Sequence, residues 1–215
     1  MASPRDYKNT IVPNWCPGCG DYGIQNAISA VCAKKGWANE DITLISGIGC
    51  SSRIGGYQYC YGAHTTHGRA LPFAQGIKCA NKDQHMIVCS GDGDSYAIGL
   101  VHAMHAIERN IDITYLVFDN QVYGLTKGQT SPASDKGFVT KTTPDGNPLT
   151  PLDAPAMALA AGATFVAQAY AIDSKTMINV IERAVDHKGF SYVNIFTPCV
   201  TFNHLNTVQW YNEHL

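Results

Sequence analysis

Apolar positions change their period along the chain, and each change marks an element. Ile24, Ala27, Ile28, Val31 and Cys32 recur at three- and four-residue steps, which predicts a helix over residues 22–35 with Asp21 ahead of it as a cap. Ile42-Thr43-Leu44-Ile45 is too short for a helix and runs into Gly47-Ile48-Gly49-Cys50-Ser51-Ser52, as a buried strand does on reaching a glycine-rich turn. The same grammar returns at residues 86–89, which lead into Gly91-Asp92-Gly93-Asp94. A helical pattern over 95–109 and an apolar strand over 113–118 follow, and the strand stops at Asp119-Asn120. Residues 121–150 lose all periodicity and fill with Gly, Thr, Ser and Pro, the composition of a long loop that carries a site. Beyond the loop the pattern predicts a helix over 155–161, a strand over 164–168, a helix over 175–187 capped by Ser174, and a strand over 192–196.

Strands separated by helices need crossover connections. The fold class expected is therefore α/β: a doubly wound, mostly parallel sheet with helices on both faces, in a single domain over 1–215. Ligands of such sheets sit beyond the carboxyl ends of the strands. Cys50, Asp92, Asn120 and Cys199 all fall just after predicted strands, so residues far apart in sequence are expected to meet at one edge.

Composition removes several functions. With 215 residues, 45% of them apolar, the chain can bury one sizeable core. A net charge of −2 without a basic run gives no footprint for nucleic acid or an anionic membrane. No apolar stretch has bilayer-spanning length, and Met1-Ala2-Ser3-Pro4-Arg5 lacks the apolar core of a signal peptide, so a soluble, cytoplasmic protein is expected. The eight cysteines then read as reduced thiols rather than a disulfide framework.

Two constellations carry chemistry. Gly91-Asp92-Gly93-Asp94 at a strand end, with Asp119-Asn120 at the end of the next strand, suits a diphosphate with Mg²⁺. Glycines admit the phosphates close to the backbone, and a carboxylate and an amide oxygen are hard ligands. Cys16-Pro17-Gly18-Cys19 places two thiols three apart, which fits a metal cluster, a zinc half-site or a redox dithiol. With Cys50 and Cys199 the set reaches four, the number a [4Fe–4S] cluster takes.

Gly-Asp-Gly with Asn120 after 26 intervening residues resembles the thiamine-diphosphate signature. The ordered set Trp15-Cys16-Pro17-Gly18-Cys19-Gly20-Asp21, Gly47-Ile48-Gly49-Cys50-Ser51-Ser52, His67-Gly68-Arg69, Gly91-Asp92-Gly93-Asp94 and Tyr123-Gly124-Leu125-Thr126-Lys127-Gly128-Gln129 is similar, over nearly the whole chain, to the β subunits of 2-oxoacid:ferredoxin oxidoreductases. The resemblance implies Asp92, Asn120 and the Val122 carbonyl as Mg²⁺ ligands, and Cys16, Cys19, Cys50 and Cys199 as ligands of a [4Fe–4S] cluster. It implies thiamine-diphosphate contacts from Ile48, Gly49, Cys50, Ser51, His67, Gly93, Asp94, Gly124 and Leu125. The activity implied is coenzyme A-dependent oxidative decarboxylation of a 2-oxoacid, 2-oxoglutarate before pyruvate, with electrons leaving through the cluster to ferredoxin. The partners implied are an α subunit, with γ and δ subunits as further candidates.

Lys127 is read as a partner for a substrate carboxylate or an exposed loop lysine. Cys32, Cys79 and Cys89 are expected as buried filler, and His102 and His105 as packed or hydrogen-bonded core histidines. Cys60, His64 and His67 leave a zinc alternative with Cys16 and Cys19. Thiamine chemistry needs a carboxylic acid beside the aminopyrimidine ring, yet Glu40, Glu108, Glu182 and Glu213, the only glutamates, all lie outside the motifs. In the resembling family that glutamate comes from the partner subunit. Two departures from the family stand out: Ile98-Gly99-Leu100-Val101-His102 replaces Ile-Gly-Gly-Asn-His, and relatives continue well past the fourth cysteine, whereas this sequence ends at Leu215. Two other functions remain: a non-redox thiamine-dependent decarboxylase or carboligase, and a non-catalytic iron–sulfur electron-transfer subunit.

Overall fold

In the computed structural model, which describes residues 2–215, six parallel strands form one sheet in the order β2-β1-β3-β4-β6-β5. The strands are β1 (Ile42–Ser46), β2 (Tyr61–His64), β3 (His85–Gly91), β4 (Ile113–Asp119), β5 (Phe165–Tyr170) and β6 (Phe190–Phe196). The helices are α1 (Asp21–Lys35), α2 (Ala70–Ala80), α3 (Leu100–Arg109), α4 (Ala154–Ala160), α5 (Ser174–Asp186) and α6 (Val208–His214).

Alternation along the central strands sends side chains to both faces, and both are covered. Leu44, Ile87, Leu116, Phe118, Val193 and Ile195 pack under α1 and α5. Ile45, Val88, Tyr115, Val117, Phe190 and Tyr192 pack under α2, α3 and α4. Burial on both sides is why β4 reads as a continuous apolar run. Ion pairs from Lys34 and Lys35 to Glu182 and Asp186 tie α1 to α5 at the surface.

The expected class and alternation hold, while several local details differ. Asp21 is the first residue of α1 and is buried, so Gly20 occupies the cap. Asp173, not Ser174, caps α5, its carboxylate accepting from the Thr176 N–H at 3.1 Å. The helical pattern after Gly93 begins with a π-helical turn over Asp94–Ile98 before α3. The edge strand β2, with three exposed residues out of four, has no apolar pattern to announce it. Helices α2 and α6 carry no prediction either.

Strand order reverses twice. From β1 the chain crosses to β2 on one side, and the next neighbour on the other side is β3; beyond β4 the order skips to β6 before returning to β5. Such switch points open crevices at the carboxyl edge.

Gly23 in α1 sets how closely that helix lies on the sheet: a Cβ there would stand 2.6 Å from the Ala171 carbonyl oxygen. Helix propensity alone favours Gly23→Ala by about 1 kcal/mol. A backbone oxygen cannot yield as a side-chain tip can, so the variant is expected to melt below the unsubstituted protein. A higher melting temperature would contradict the packing.

Candidate active site and cysteine cluster

Both crevices open on one edge, and the strand ends fill them. The turn after β1, the Gly91–Asp94 turn after β3 and the loop after β4 surround a cleft of about 450 Å³. Ile48, Gly49, Cys50, Ser51, His67, Asp92, Gly93, Asp94, Asn120, Val122, Gly124 and Leu125 all line it. Every residue that the sequence assigns to thiamine diphosphate or Mg²⁺ is thus on one cleft wall.

Asp92 is 2% exposed, and its only side-chain partner is the Ser131 hydroxyl, which donates to it. Burial, and then the neighbouring Asp119, push its carboxyl well above the ordinary range. Asp119 is itself raised to about 6 by burial, against the Asn194 amide that donates to it at 3.0 Å. Neither carboxylate pairs with a lysine or arginine among the described residues. Two buried acids without a cation form a site where a divalent ion relieves repulsion. The Asp92 carboxylate, Asn120 amide oxygen and Val122 carbonyl are oxygen donors of the hardness Mg²⁺ prefers.

Tyr123 closes the cleft from above. A Cβ on Gly93 would stand 2.1 Å from its ring, so only glycine admits that ring. The sequence reading quotes Tyr123 within a motif but gives it no role, and it does not name Ser131. Both lie in the aperiodic stretch it did single out as functional, but only their neighbours in space give them a role.

The four cysteines gather beside the cleft. A Cβ on Gly124 would lie 3.6 Å from Cys50 Sγ and 3.9 Å from Cys199 Sγ, and glycine there keeps the space between them open. Cys50 is pushed up to about 11 by burial, then by Asp21, Cys199 and Cys16. Cys19 is pushed higher still, by burial, Asp21, Cys199 and Cys50. Thiols that resist ionising for these reasons need a cationic centre to become ligands. Among the described residues no group of three His, Cys, Asp or Glu side chains converges as on a single metal ion; a cluster spreads its thiolates over several irons. Trp15 donates its indole N–H to the Cys50 carbonyl at 2.6 Å, fixing the turn that reaches both the cleft and the cysteines.

Other assignments move. Lys127 does not line the cleft but stands with Lys141 and His204 around a separate depression. Cys79 is exposed rather than buried, because it lies on the outer side of α2. His105 is exposed and within 3.1 Å of Glu108, and His102 is half-buried, so neither is a core histidine. Cys60 is half-buried against the core beside Cys32 and Cys89, and among the described residues it forms no three-ligand group of the kind the zinc alternative needs. No glutamate lines the cleft.

Asp21, buried beside Cys19, has neither carboxylate oxygen hydrogen-bonded among the described residues and is pushed up to about 7 by burial. Its folded pKa exceeds the unfolded value of 3.8. Its contribution to stability is therefore full below that value and is lost as pH rises through the folded one. The metal-free chain should lose melting temperature between pH 5 and pH 8, and Asp21→Asn should lose less; equal slopes would contradict the burial.

Comparisons with known proteins agree with this geometry. Residues 47–195 match the family model described as thiamine pyrophosphate enzyme, C-terminal TPP binding domain. The chain is 42% identical over 204 residues to the 2-oxoacid:ferredoxin oxidoreductase subunit beta of Saccharolobus solfataricus, covering 94% of this chain and 67% of that one. It is 45% identical over 199 residues to the 2-oxoglutarate oxidoreductase subunit KorB of Mycobacterium tuberculosis, covering 93% and 53%. It thus spans about two thirds of the first relative's length and about half of the second's. A solved 2-oxoglutarate:ferredoxin oxidoreductase from Magnetococcus marinus, with 2-oxoglutarate, coenzyme A and succinyl-CoA bound, superposes with a TM-score of 0.97 at 43% identity, covering 99% of this chain and 73% of that one. A cofactor cleft and a cysteine cluster joined by one turn, with relatives of this closeness along almost all of its length, make the chain a member of the 2-oxoacid:ferredoxin oxidoreductase β-subunit family.

Proposed function

We propose that the chain binds thiamine diphosphate with Mg²⁺ in the cleft and a [4Fe–4S] cluster on Cys16, Cys19, Cys50 and Cys199. Within a complex it would carry out the coenzyme A-dependent oxidative decarboxylation of a 2-oxoacid. The observation that carries the proposal is the shared turn: Cys50 lines the cleft, and its sulfur sits with that of Cys199 about the space left by Gly124. A non-redox thiamine enzyme has no use for four gathered thiols, and an electron-transfer subunit has none for the Asp92–Asn120 oxygen set.

When bound, thiamine diphosphate supplies a nucleophilic carbon for the keto group and a sink for the electrons left by departing CO₂, and the cluster supplies a one-electron outlet. The chain's own part is to hold these groups. Asp92, Asn120 and the Val122 carbonyl would bind Mg²⁺ and Gly93 would admit the diphosphate. His67 would present a ring nitrogen to the cofactor. Glu108, Glu182 and Glu213 make their contacts elsewhere, with His105, the α1 lysines and Gln209 respectively, and Glu40 lies at the far side of the β2 edge. The acid for the aminopyrimidine is therefore assigned to a partner subunit, α by family naming. The substrate favoured is 2-oxoglutarate, the acyl acceptor coenzyme A and the electron acceptor ferredoxin.

The test is turnover of the anaerobic complex: reduction of ferredoxin should require both 2-oxoglutarate and coenzyme A. Release of CO₂ with no electron transfer would favour the non-redox reading. Cys199→Ser should lose iron while keeping thiamine diphosphate, since Cys199 lies outside the cleft lining, whereas Cys50→Ser should weaken both. Asp92→Asn should raise the Mg²⁺ needed for cofactor binding by at least about tenfold, the cost seen for losing even a residue that only supports a ligand.

A further inference from the structure

Asp94 is 3% exposed, yet its carboxylate gathers two other turns to its own. One oxygen, Oδ1, accepts the Ile48 N–H at 3.0 Å from the turn after β1 and the Gly68 N–H at 2.7 Å from the turn before α2. His67 Nδ1 is buried and lies 2.9 Å from the same oxygen, within ion-pair distance though not aligned for a hydrogen bond, and it meets no hydrogen-bond partner among the described residues. Gly47 makes the approach possible, since a Cβ there would stand 1.9 Å from Oδ2. His67 itself keeps 37% of its side chain exposed and lines the cleft. With Nδ1 turned into the wall, the ring edge carrying Nε2 is the part left for the cleft.

We propose that Asp94 is a positioning residue, whose buried carboxylate holds the His67 ring with Nδ1–H toward the wall and Nε2 toward the bound cofactor. The proposal rests on the reading of the cleft as a thiamine-diphosphate site. It also gives a reason for an acid in a place where an anion binds. A fixed negative charge beside a diphosphate repels it, so an acid that merely filled space would improve cofactor binding when neutralised. A carboxylate that orients a cofactor contact does the opposite.

Asp94→Asn separates the two: its amide oxygen still accepts from Ile48 and Gly68 and keeps the turns together, while the negative charge facing His67 Nδ1 is lost. Thiamine-diphosphate affinity, measured by titration of the complex with its partner subunit at fixed Mg²⁺, is expected to weaken roughly tenfold, the scale of removing the charge from a close polar contact. In a His67→Gln background the same substitution should add less than about twofold, because the residue through which it acts is gone. Unchanged or tighter binding, or fully additive effects, would overturn the proposal. Should Asp94→Asn not fold, ¹⁵N-histidine NMR of the unsubstituted, cofactor-free complex decides. A proton on His67 Nδ1 supports the assignment, and a neutral ring protonated only at Nε2 overturns it. Failure of the unsubstituted complex to bind thiamine diphosphate would instead sink the reading of the cleft, and the NMR result would stand apart from it.

Discussion

Parallel pairing places the carboxyl ends of all six strands at one edge of the sheet, and two reversals of strand order open crevices along that edge. Everything chemical in the molecule follows from this constraint. The register of β1 with β3, pairing Ser46 with Cys89, and of β4 with β6, pairing Asp119 with Phe196, sets the heights at which the glycine-rich turns and the Asn120 loop emerge. Buried apolar faces on both sides hold that register, since a one-residue slip would turn each strand's core residues to the opposite face. The site is precise because the core beneath it is.

The same edge concentrates cost. Asp21, Asp92, Asp94 and Asp119 are all at most 6% exposed, and Asp92, Asp119 and Cys19 are pushed away from their charged forms. Buried acids and thiols lacking cationic partners are a poor way to stabilise an empty protein and a good way to hold cations. Metal occupancy and folding stability should therefore be linked, with the apo chain the less stable form.

The alternation of elements and the central strands were legible because apolar periodicity is a local signal, and β1, β3, β4 and β6 are buried on both faces. The motif residues were legible because their ordered combination along the chain resembles a known family's, not because a Gly-Asp-Gly turn is unusual at a strand end. Edge strand β2 was illegible because its side chains are exposed. Cys79 was misplaced because spacing along the chain says nothing about which side of a helix faces solvent. Tyr123, Ser131 and the grip of Asp94 on His67 depend on contacts across 26 residues or more, from Asp94 to Gly68, from Gly93 to Tyr123 and from Asp92 to Ser131. No local pattern encodes such contacts.

The central claim is that one turn, Gly47–Ser51, serves a thiamine-diphosphate site and an iron–sulfur site at once. Its most direct test is the anaerobically purified complex, analysed for iron, sulfide and thiamine diphosphate, with the EPR spectrum of the reduced cluster recorded before and after the cofactor and Mg²⁺ are added. About four irons per chain, and a cluster signal that shifts when thiamine diphosphate binds, are the predicted result. A cofactor that binds with no cluster present, or a cluster whose spectrum ignores it, would contradict the shared turn.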